Sequence, residues 1–475
     1  MSDQKMADPD PSVRLAIVIM AAGKGTRLKS MRAKVLHEIG GRPLLGHVIA
    51  AASRLVAPTD IFVVVGHQAE RVRGTFATSG VHFVVQAEQR GTGHAVQCAR
   101  DSIAGYDNVM VLSGDAPLVR PETLKDVWQF HQEHKAAMTL VSGEPEHPMG
   151  YGRVIRKGSQ SPEVVGIVEQ KMLTPEQVSI LEVNMGLYVF LTEPLLEHLD
   201  KLNTNNPHGE YYLTDMAAVL YSAGERVTAY KAKDPSELSG ANTLAEMAAL
   251  DALLRRTIAD RLMAQGVTIF RPDTCVIDAD VEVAADAVIE PFVQLLGKTR
   301  IGMGSHIRSY SVVENCTLGD DVLVRQSCVL SESTVANGAR IGPFAHLRPG
   351  SELGPDVHIG NFVETKKTKI GQGTKANHLT YLGDAEVGEG SNIGAGTITC
   401  NYDGVNKQAT KIGNSVFVGS DSTLVAPVTI GDGAYIGAGS CITKDVEAGA
   451  LAVGRAHQVD KPGWVEARRA KSSDK

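Results

Sequence analysis

The chain is poor in aromatic side chains, which make up 5% of its 475 residues and include two tryptophans, so any core must rest on aliphatic packing. It is equally short of paired cysteines. Cys98, Cys275, Cys316, Cys328, Cys400 and Cys441 are scattered, with no Cys-x-x-Cys pair and no zinc-like spacing. That excludes a disulfide framework or a metal knuckle and fits free thiols in a reducing compartment. Positive charge is not in excess. The 47 Lys and Arg against 54 Asp and Glu give a net charge of −7, which excludes an extended nucleic-acid footprint and leaves local basic pockets for small anions. Long apolar runs are missing too, since Leu15–Ala22 falls far short of the roughly 20 residues that span a bilayer. Residues 1–12 lack the basic and apolar regions of an export signal. The expectation is a cytoplasmic protein with small-molecule substrates, no nucleic-acid partner and no membrane partner. Residues 1–11 and 467–475 read as frayed tails.

What is present is 43% hydrophobic residues, 21% charged residues and 48 glycines, in a length suited to two or three domains. Residues 12–241 alternate apolar runs (Leu15–Met20, Ile61–Val65, His82–Val85, Val109–Leu112) with helical stretches such as Leu44–Leu55 and His94–Ile103. This predicts an α/β Rossmann-like domain with a largely parallel sheet covered on both faces. Residues 242–266 read as a linker helix, because Leu244, Met247, Leu250, Leu254, Ile258 and Leu262 recur on one face and Thr243 with Glu246 forms a capping box.

From residue 267 to 475 an aliphatic residue followed by glycine recurs at intervals of mostly six or twelve, as in Ile341-Gly342, Leu353-Gly354, Ile359-Gly360 and Ile430-Gly431. Such a period predicts a parallel β-helix of hexapeptide repeats with one continuous aliphatic core. The phase slips between Ile359 and Ile370, between Leu382 and Val387, and between Ile393 and Ile412. The last slip holds an insertion, Cys400–Lys407, of the kind that solenoids place on a binding face.

Several residues in this pattern could carry chemistry. Ala21-Ala22-Gly23-Lys24-Gly25-Thr26-Arg27 follows the first strand, where successive amides can cradle phosphate or simply turn the chain. Arg27 and Lys34 supply cations beside it, or solvated surface charge. Asp115 follows another strand in Ser113-Gly114-Asp115-Ala116-Pro117, suited to a hard cation or to an Asx-type turn. In the solenoid, His378 lies between repeat anchors as a base or a structural histidine, while Arg348, Lys366 and Lys407 could surround a phosphate or be solvated.

Longer motifs narrow these choices. Gly23–Arg27 with Lys34, Gln86 with Gly91-Thr92-Gly93-His94-Ala95, Gly114-Asp115-x-Pro117, Gly150-Tyr151-Gly152-Arg153, Val168-Glu169-Gln170-Lys171, Asn184-Met185-Gly186 and Glu210–Asp215 resemble the sugar-nucleotide pyrophosphorylases. Together with Asn377-His378, Asn401-Tyr402-Asp403-Gly404 and Arg455, the ordered set resembles the bacterial bifunctional GlmU family over nearly the whole chain.

The resemblance implies a uridylyltransferase half and an acetyltransferase half. The chain would acetylate glucosamine 1-phosphate with acetyl-CoA, then transfer UMP from UTP to the product, giving UDP-N-acetylglucosamine for cell-wall and lipopolysaccharide synthesis. It further implies a left-handed β-helix and a homotrimer, neither of which the period itself gives.

The same resemblance distributes roles among residues. Ala21, Ala22, Gly23, Arg27 and Lys34 would receive the triphosphate, Gln86, Gly91 and Thr92 the nucleoside, and Gly150, Glu169 and Asn184 the sugar. Asp115 and Asn242 would hold Mg²⁺, with Asn242 also touching the nucleotide-sugar. In the second half His378 would be the base, oriented by Glu364. Arg348, Lys366, Tyr381, Asn392 and Lys407 would bind glucosamine 1-phosphate. Ala395, Asn401, Tyr402, Ser420, Ala438 and Arg455 would meet acetyl-CoA, with Asn401 also near the sugar. Two departures stand out: Ala33 replaces a proline common before the lysine, and Arg90 replaces an apolar residue before Gly91. The alternatives are a single nucleotidylyltransferase with a non-catalytic β-helix, or a β-helix that serves as a scaffold.

Overall fold

A computed structural model describes residues 13–158 and 161–473. They form two compact units that divide between Leu254 and Arg255, inside the helix Leu244–Ala264.

In the first unit seven strands form the path of the main sheet, in the order Val227–Lys231, Met138–Gly143, Val183–Leu191, Asn108–Ser113, Leu15–Ala21, Ile61–Val65 and His82–Val85. All neighbours on this path pair in parallel except Val183–Leu191, which runs antiparallel to its two neighbours on the path and to Arg153–Arg156 beside it, and so qualifies the largely parallel expectation. Alternation explains the continuous apolar strands: Ile17 and Ile19 pack into one core layer, Ala16 and Val18 into the other. The sheet order reverses at Leu15–Ala21, and ligands of open α/β sheets gather beyond the strand ends at such a point. Behind the sheet, buried His131 bridges Thr139 Oγ1 at 2.8 Å and Asn108 Oδ1 at 3.1 Å, and burial pushes its pKa down to about 4.

The first turns of the long helix close over Leu28, Ile39 and Leu44 through Met247 and Leu250, while Leu244, expected on the buried face, is 57% exposed. Its cap differs from a simple box. The Glu246 N–H donates to Thr243 Oγ1 at 3.2 Å, but the Glu246 carboxylate accepts from Asn242 N–H at 2.7 Å, one residue earlier than expected. Beyond Leu254 the helix is tied into the second unit by Arg255–Asp278 and Arg256–Asp273, both at 3.0 Å.

The second unit is a parallel β-helix of the left-handed hexapeptide class, built from strands of mostly two or three residues. Register fixes the coil: Val288 pairs with His306 and Gln294 with Val312, 18 residues apart, then Arg300 with Thr317, 17 apart. Ile277, Leu295, Val313, Leu330 and Leu347 therefore stack as one aliphatic column, all nearly fully buried. Buried hydroxyls are satisfied across coils: Ser305 Oγ donates to Gly319 O at 2.9 Å and accepts from Val322 N–H at 3.0 Å. The glycines permit this stacking. At Gly360 a Cβ would overlap the carbonyl of Asn377 in the next coil.

The predicted slips become structure. Strands His358–Ile370 and Lys375–Val387 run through the coil corners without interruption. At the insertion the pairing jumps to 25 residues, Glu386 to Lys411, and resumes at 18 with Lys411 to Thr429. At the C-terminus the expected frayed tail is instead a helix, Trp464–Ser473, with Arg468 over the Trp464 ring at 5.2 Å. The other predicted tail, 1–11, lies outside the described residues.

Candidate active sites

Beyond the first strand, Gly25 adopts φ 62°, and a Cβ there would sit 2.7 Å from Lys34 Cβ. Only glycine lets the loop close over Lys34. Ala33, the departure from proline, nonetheless keeps φ at −55°, and the N–H that proline would lack donates to Gln68 Oε1 at 3.2 Å. The approach of Lys34 is thus held by a hydrogen bond where a ring would otherwise stiffen it.

Lys34 Nζ donates to Asn242 Oδ1 at 2.9 Å and pairs with Asp115 Oδ2, while Arg27 Nη2 reaches the same Asn242 oxygen at 2.7 Å. Ser113 Oγ donates to the other Asp115 oxygen at 2.5 Å. Two cations, a carboxylate and an amide oxygen therefore converge where the sheet order reverses. Asn242, whose backbone lies at the helix start, turns its side chain into this cluster.

Two cavities meet at Asp115. One, of about 550 Å³, is lined by Ala21, Ala22, Gly23, Lys34, Gln86, Gly91 and Thr92. The other, of about 820 Å³, is lined by Arg27, Gly150, Glu169, Asn184 and Asn242. All the residues expected around nucleotide, sugar and metal thus line one continuous pair of cavities.

Further residues hold that set in place. Asn184 Nδ2 donates to Tyr188 Oη at 2.7 Å, and Thr214 Oγ1 donates to Glu169 at 2.9 Å. Tyr188 is buried, which raises its phenol pKa, so it stays a neutral hydroxyl. Burial, then the Glu169 charge, pushes the Asp215 carboxyl above its ordinary range. Arg90 now has a visible role: it lies over Tyr211 at 5.1 Å, and its carbonyl accepts from Tyr211 N–H at 2.8 Å, tethering the loop before Gly91. Motif spacing gives no sign of Tyr188, an ordinary strand residue beyond Asn184-Met185-Gly186, while Thr214 lies inside the Glu210–Asp215 motif, which does not reveal its bond to Glu169.

No group of three or more His, Cys, Asp or Glu side chains suited to a metal occurs among the described residues. A cation at Asp115 and Asn242 would have two protein oxygen donors. That donor set fits Mg²⁺, which keeps several waters and shares phosphate oxygens.

On the β-helix, His378 is exposed and its Nδ1 lies 3.0 Å from Asn361 Oδ1, its register partner one coil earlier. An amide oxygen only accepts, so Nδ1 carries the proton and Nε2 keeps its lone pair outward. Glu364, expected to orient the imidazole, instead binds Arg348 Nη1 at 2.7 Å. It is committed to the cationic cluster, and Asn361, 17 residues before His378, takes the orienting position.

The same corner continues coil after coil. The carbonyls of Leu379, Ala395 and Ser420 accept from the N–H groups of Gly396, Asp421 and Gly439, which stacks Ala395, Ser420 and Ala438 along one edge with Arg455 beside Gly439. Arg348 and Lys366 are register neighbours, and Lys366 lies within hydrogen-bond range of Lys407 from the insertion. The Lys407 contact and charge lower the Lys366 pKa, with Arg348 adding to it, an arrangement that favours an anion between them. Tyr381 folds its hydroxyl over Gly383, the residue paired with Lys366.

The insertion itself is a tight loop. Asp403 Oδ1 accepts from Val405 N–H at 2.8 Å and Asn406 N–H at 2.6 Å, and Asn401 Nδ2 donates to Asp384. Tyr402 is 58% exposed. Asn392, Asn401 and Tyr402 make no hydrogen bond with His378 among the described residues.

Comparison with known proteins shows the family of the chain. Residues 17–164 match the MobA-like NTP transferase domain, and residues 409–444 match the bacterial transferase hexapeptide family of six repeats. The chain is 59% identical over 463 residues to the bifunctional protein GlmU of Koribacter versatilis, covering 97% of this chain and 99% of that one. It is 50% identical to that of Solibacter usitatus, covering 96% and 97%, and 45% identical to that of Streptococcus agalactiae, covering 96% and 99%.

Proposed function

The chain belongs to the bifunctional GlmU family, joining a uridylyltransferase to an acetyltransferase, and from that premise we propose how its residues divide the work. The enzyme takes a nucleotide and acetyl-CoA as substrates. It acetylates glucosamine 1-phosphate in the β-helix, then couples the product to UMP in the α/β unit.

In the first reaction the neutral amine of glucosamine 1-phosphate attacks the thioester carbon. His378 Nε2 removes the amine proton, and the bond to sulfur breaks to release CoA, which the imidazolium can reprotonate. Asn361 keeps Nδ1 protonated so that Nε2 stays basic. Arg348, Lys366, Lys407 and Tyr381 hold the sugar phosphate, Asn392 and Asn401 the sugar. Acetyl-CoA lies along the edge of Ala395, Ser420, Ala438 and Arg455, with Tyr402 at its side and the Ala395 amide near the developing oxyanion.

In the second reaction a phosphate oxygen of N-acetylglucosamine 1-phosphate attacks the α-phosphorus of UTP and pyrophosphate leaves, with no dedicated base because the phosphate is already ionised. Lys34, Arg27 and the amides of Ala22 and Gly23 neutralise charge on the phosphoryl oxygens. Gln86, Gly91 and Thr92 receive the nucleoside, and Gly150, Glu169 and Asn184 the sugar. Asp115 and Asn242 would hold Mg²⁺, which would supply charge neutralisation to the phosphates, and Lys34, now bonded to both residues, stands beside that site.

A homotrimer with acetyltransferase sites between subunits fits the exposed apolar edge of the β-helix, where Phe292 stacks on Tyr310 at 5.1 Å and Phe344 on Phe362 at 5.5 Å. No described helix is long and apolar enough to cross a membrane. Its substrates, UTP and acetyl-CoA, assign the enzyme to the cytoplasm.

The observation that carries the function is that one chain holds a cation pair on Asp115 and Asn242 and, separately, an accessible imidazole oriented by Asn361. The test is thiol release from acetyl-CoA on adding glucosamine 1-phosphate, and pyrophosphate release from UTP and N-acetylglucosamine 1-phosphate with Mg²⁺. Both releases are expected from the same preparation. Pyrophosphate without thiol would leave the β-helix a scaffold.

A further inference from the structure

Gln86 is almost fully buried at the end of the strand His82–Val85, its backbone N–H donating to Val65 O at 2.8 Å, and it lines the smaller cavity. Its side-chain nitrogen has two neighbours, the Gly91 carbonyl at 3.0 Å and His94 Nδ1 at 3.1 Å. A carbonyl can only accept, so the amide nitrogen must face Gly91, and its second N–H then points at His94. The ring nitrogen that receives it must carry a lone pair. The imidazole proton therefore sits on Nε2, which faces Cys98 Sγ at 3.8 Å, one turn along the helix Thr92–Cys98 that carries both residues.

Both N–H groups of Gln86 are thereby used within the protein, and Oε1, which has no protein partner among the described residues, is the atom left for a ligand. An acceptor at this position suits a base with a ring N–H. Uracil presents such a donor at N3, whereas cytosine presents a lone pair there.

We propose that His94 is a positioning residue that sets the base selectivity of the nucleotide pocket by locking Gln86 with its acceptor toward the base. The proposal rests on the assignment of Gln86 and Gly91 to the uracil. With two acceptors on one nitrogen the carboxamide cannot turn. With Gly91 alone it pivots about a single hydrogen bond, and its N–H edge becomes available to the N3 lone pair of cytosine.

The test compares kcat/KM for UTP and CTP, with N-acetylglucosamine 1-phosphate and Mg²⁺, in wild type, His94→Leu and His94→Asn. Leucine fills the space without an acceptor; asparagine can return one near the Nδ1 position. The UTP-to-CTP ratio is expected to fall about tenfold in His94→Leu, the scale of one buried hydrogen bond left unmade. It should recover to within about threefold in His94→Asn.

A His94→Leu enzyme that slows equally with both nucleotides, keeping the ratio, overturns the role of His94 while leaving the uracil assignment intact. A wild type that uses CTP as well as UTP overturns the uracil assignment itself. If His94→Leu does not fold, His94→Ala against His94→Asn reads the same ratio. Cys98→Ala, which removes only the outer neighbour of the ring, should shift it less.

Discussion

In the α/β unit Lys34 meets Asn242 across 208 residues of chain, whereas in the β-helix His378 meets Asn361 across 17. The first contact needs a whole sheet, its loops and the start of a helix to be in place. The second needs only two adjacent coils in register. Site residues of a layered fold are gathered from loops that share a sheet edge, while those of a solenoid are gathered from equivalent positions of successive repeats. The contact of His378 is therefore local to two neighbouring coils, while that of Lys34 depends on the topology of its whole unit.

Substitutions in one unit should leave the other's chemistry alone, and the largest effect tests this most directly. His378→Ala should lower acetyl transfer by about a thousandfold, within the range for loss of a general base, with pyrophosphate release unaltered. Parallel loss of both activities in assays supplied with each substrate separately would break the comparison.

The two units should also respond to pH in opposite directions. Burial lowers His131 from 6.5 to about 4, so between those values the unfolded chain takes up a proton that the folded unit does not. Stability of the α/β unit should fall by about 3 kcal/mol as pH drops through that window, and His131→Gln should remove the dependence. In the β-helix, burial raises Cys316 and Cys328 from 9.0 to about 11 each. Their contribution is fully present below pH 9.0 and is lost as pH rises through about 11, by about 3 kcal/mol per thiol. Hydrogen exchange followed unit by unit against pH reads both trends, and a β-helix that loosens in acid before the α/β unit would contradict them.

Lys34→Ala should slow UMP transfer by about a hundredfold, by removing charge aimed at the phosphoryl oxygens, with thiol release from acetyl-CoA unaltered. The smallest effect sharpens the point about period. Asn361→Ala should slow acetyl transfer by about tenfold in kcat, because the imidazole loses its tautomer lock and not its lone pair. KM for glucosamine 1-phosphate should hold. A larger loss in Glu364→Gln, seen in kcat at unchanged KM, would return the orienting role to that residue.

Much of this was legible in the chain. The strand Ile61–Val65 ends where its apolar run ends, since a strand buried on both faces needs a continuous aliphatic segment, and the edge strand His82–Val85 has the bounds of its run although it is only half-buried. The phase slip at Cys400–Lys407 foretold the loop that carries Lys407 to Lys366. Asn361 could have been found by counting one coil back from His378. Tyr188 could not, and although His94 and Thr214 sit inside the motifs Gly91–Ala95 and Glu210–Asp215, their partners Gln86 and Glu169 could not be read either, because no local pattern encodes those hydrogen bonds.

The α/β and β-helical architecture follows from periodicity along the chain, and motifs mark the residues proposed to carry the chemistry, because periodicity and motif are properties of neighbours in sequence. Tertiary structure alone decided which partners those residues meet. Glu364 turned to Arg348 and left His378 to Asn361, and Asn242 turned from its helix cap toward Lys34. The physical reason is that a hydrogen bond requires two groups within about 3 Å at a suitable angle, and only the folded backbone fixes that distance.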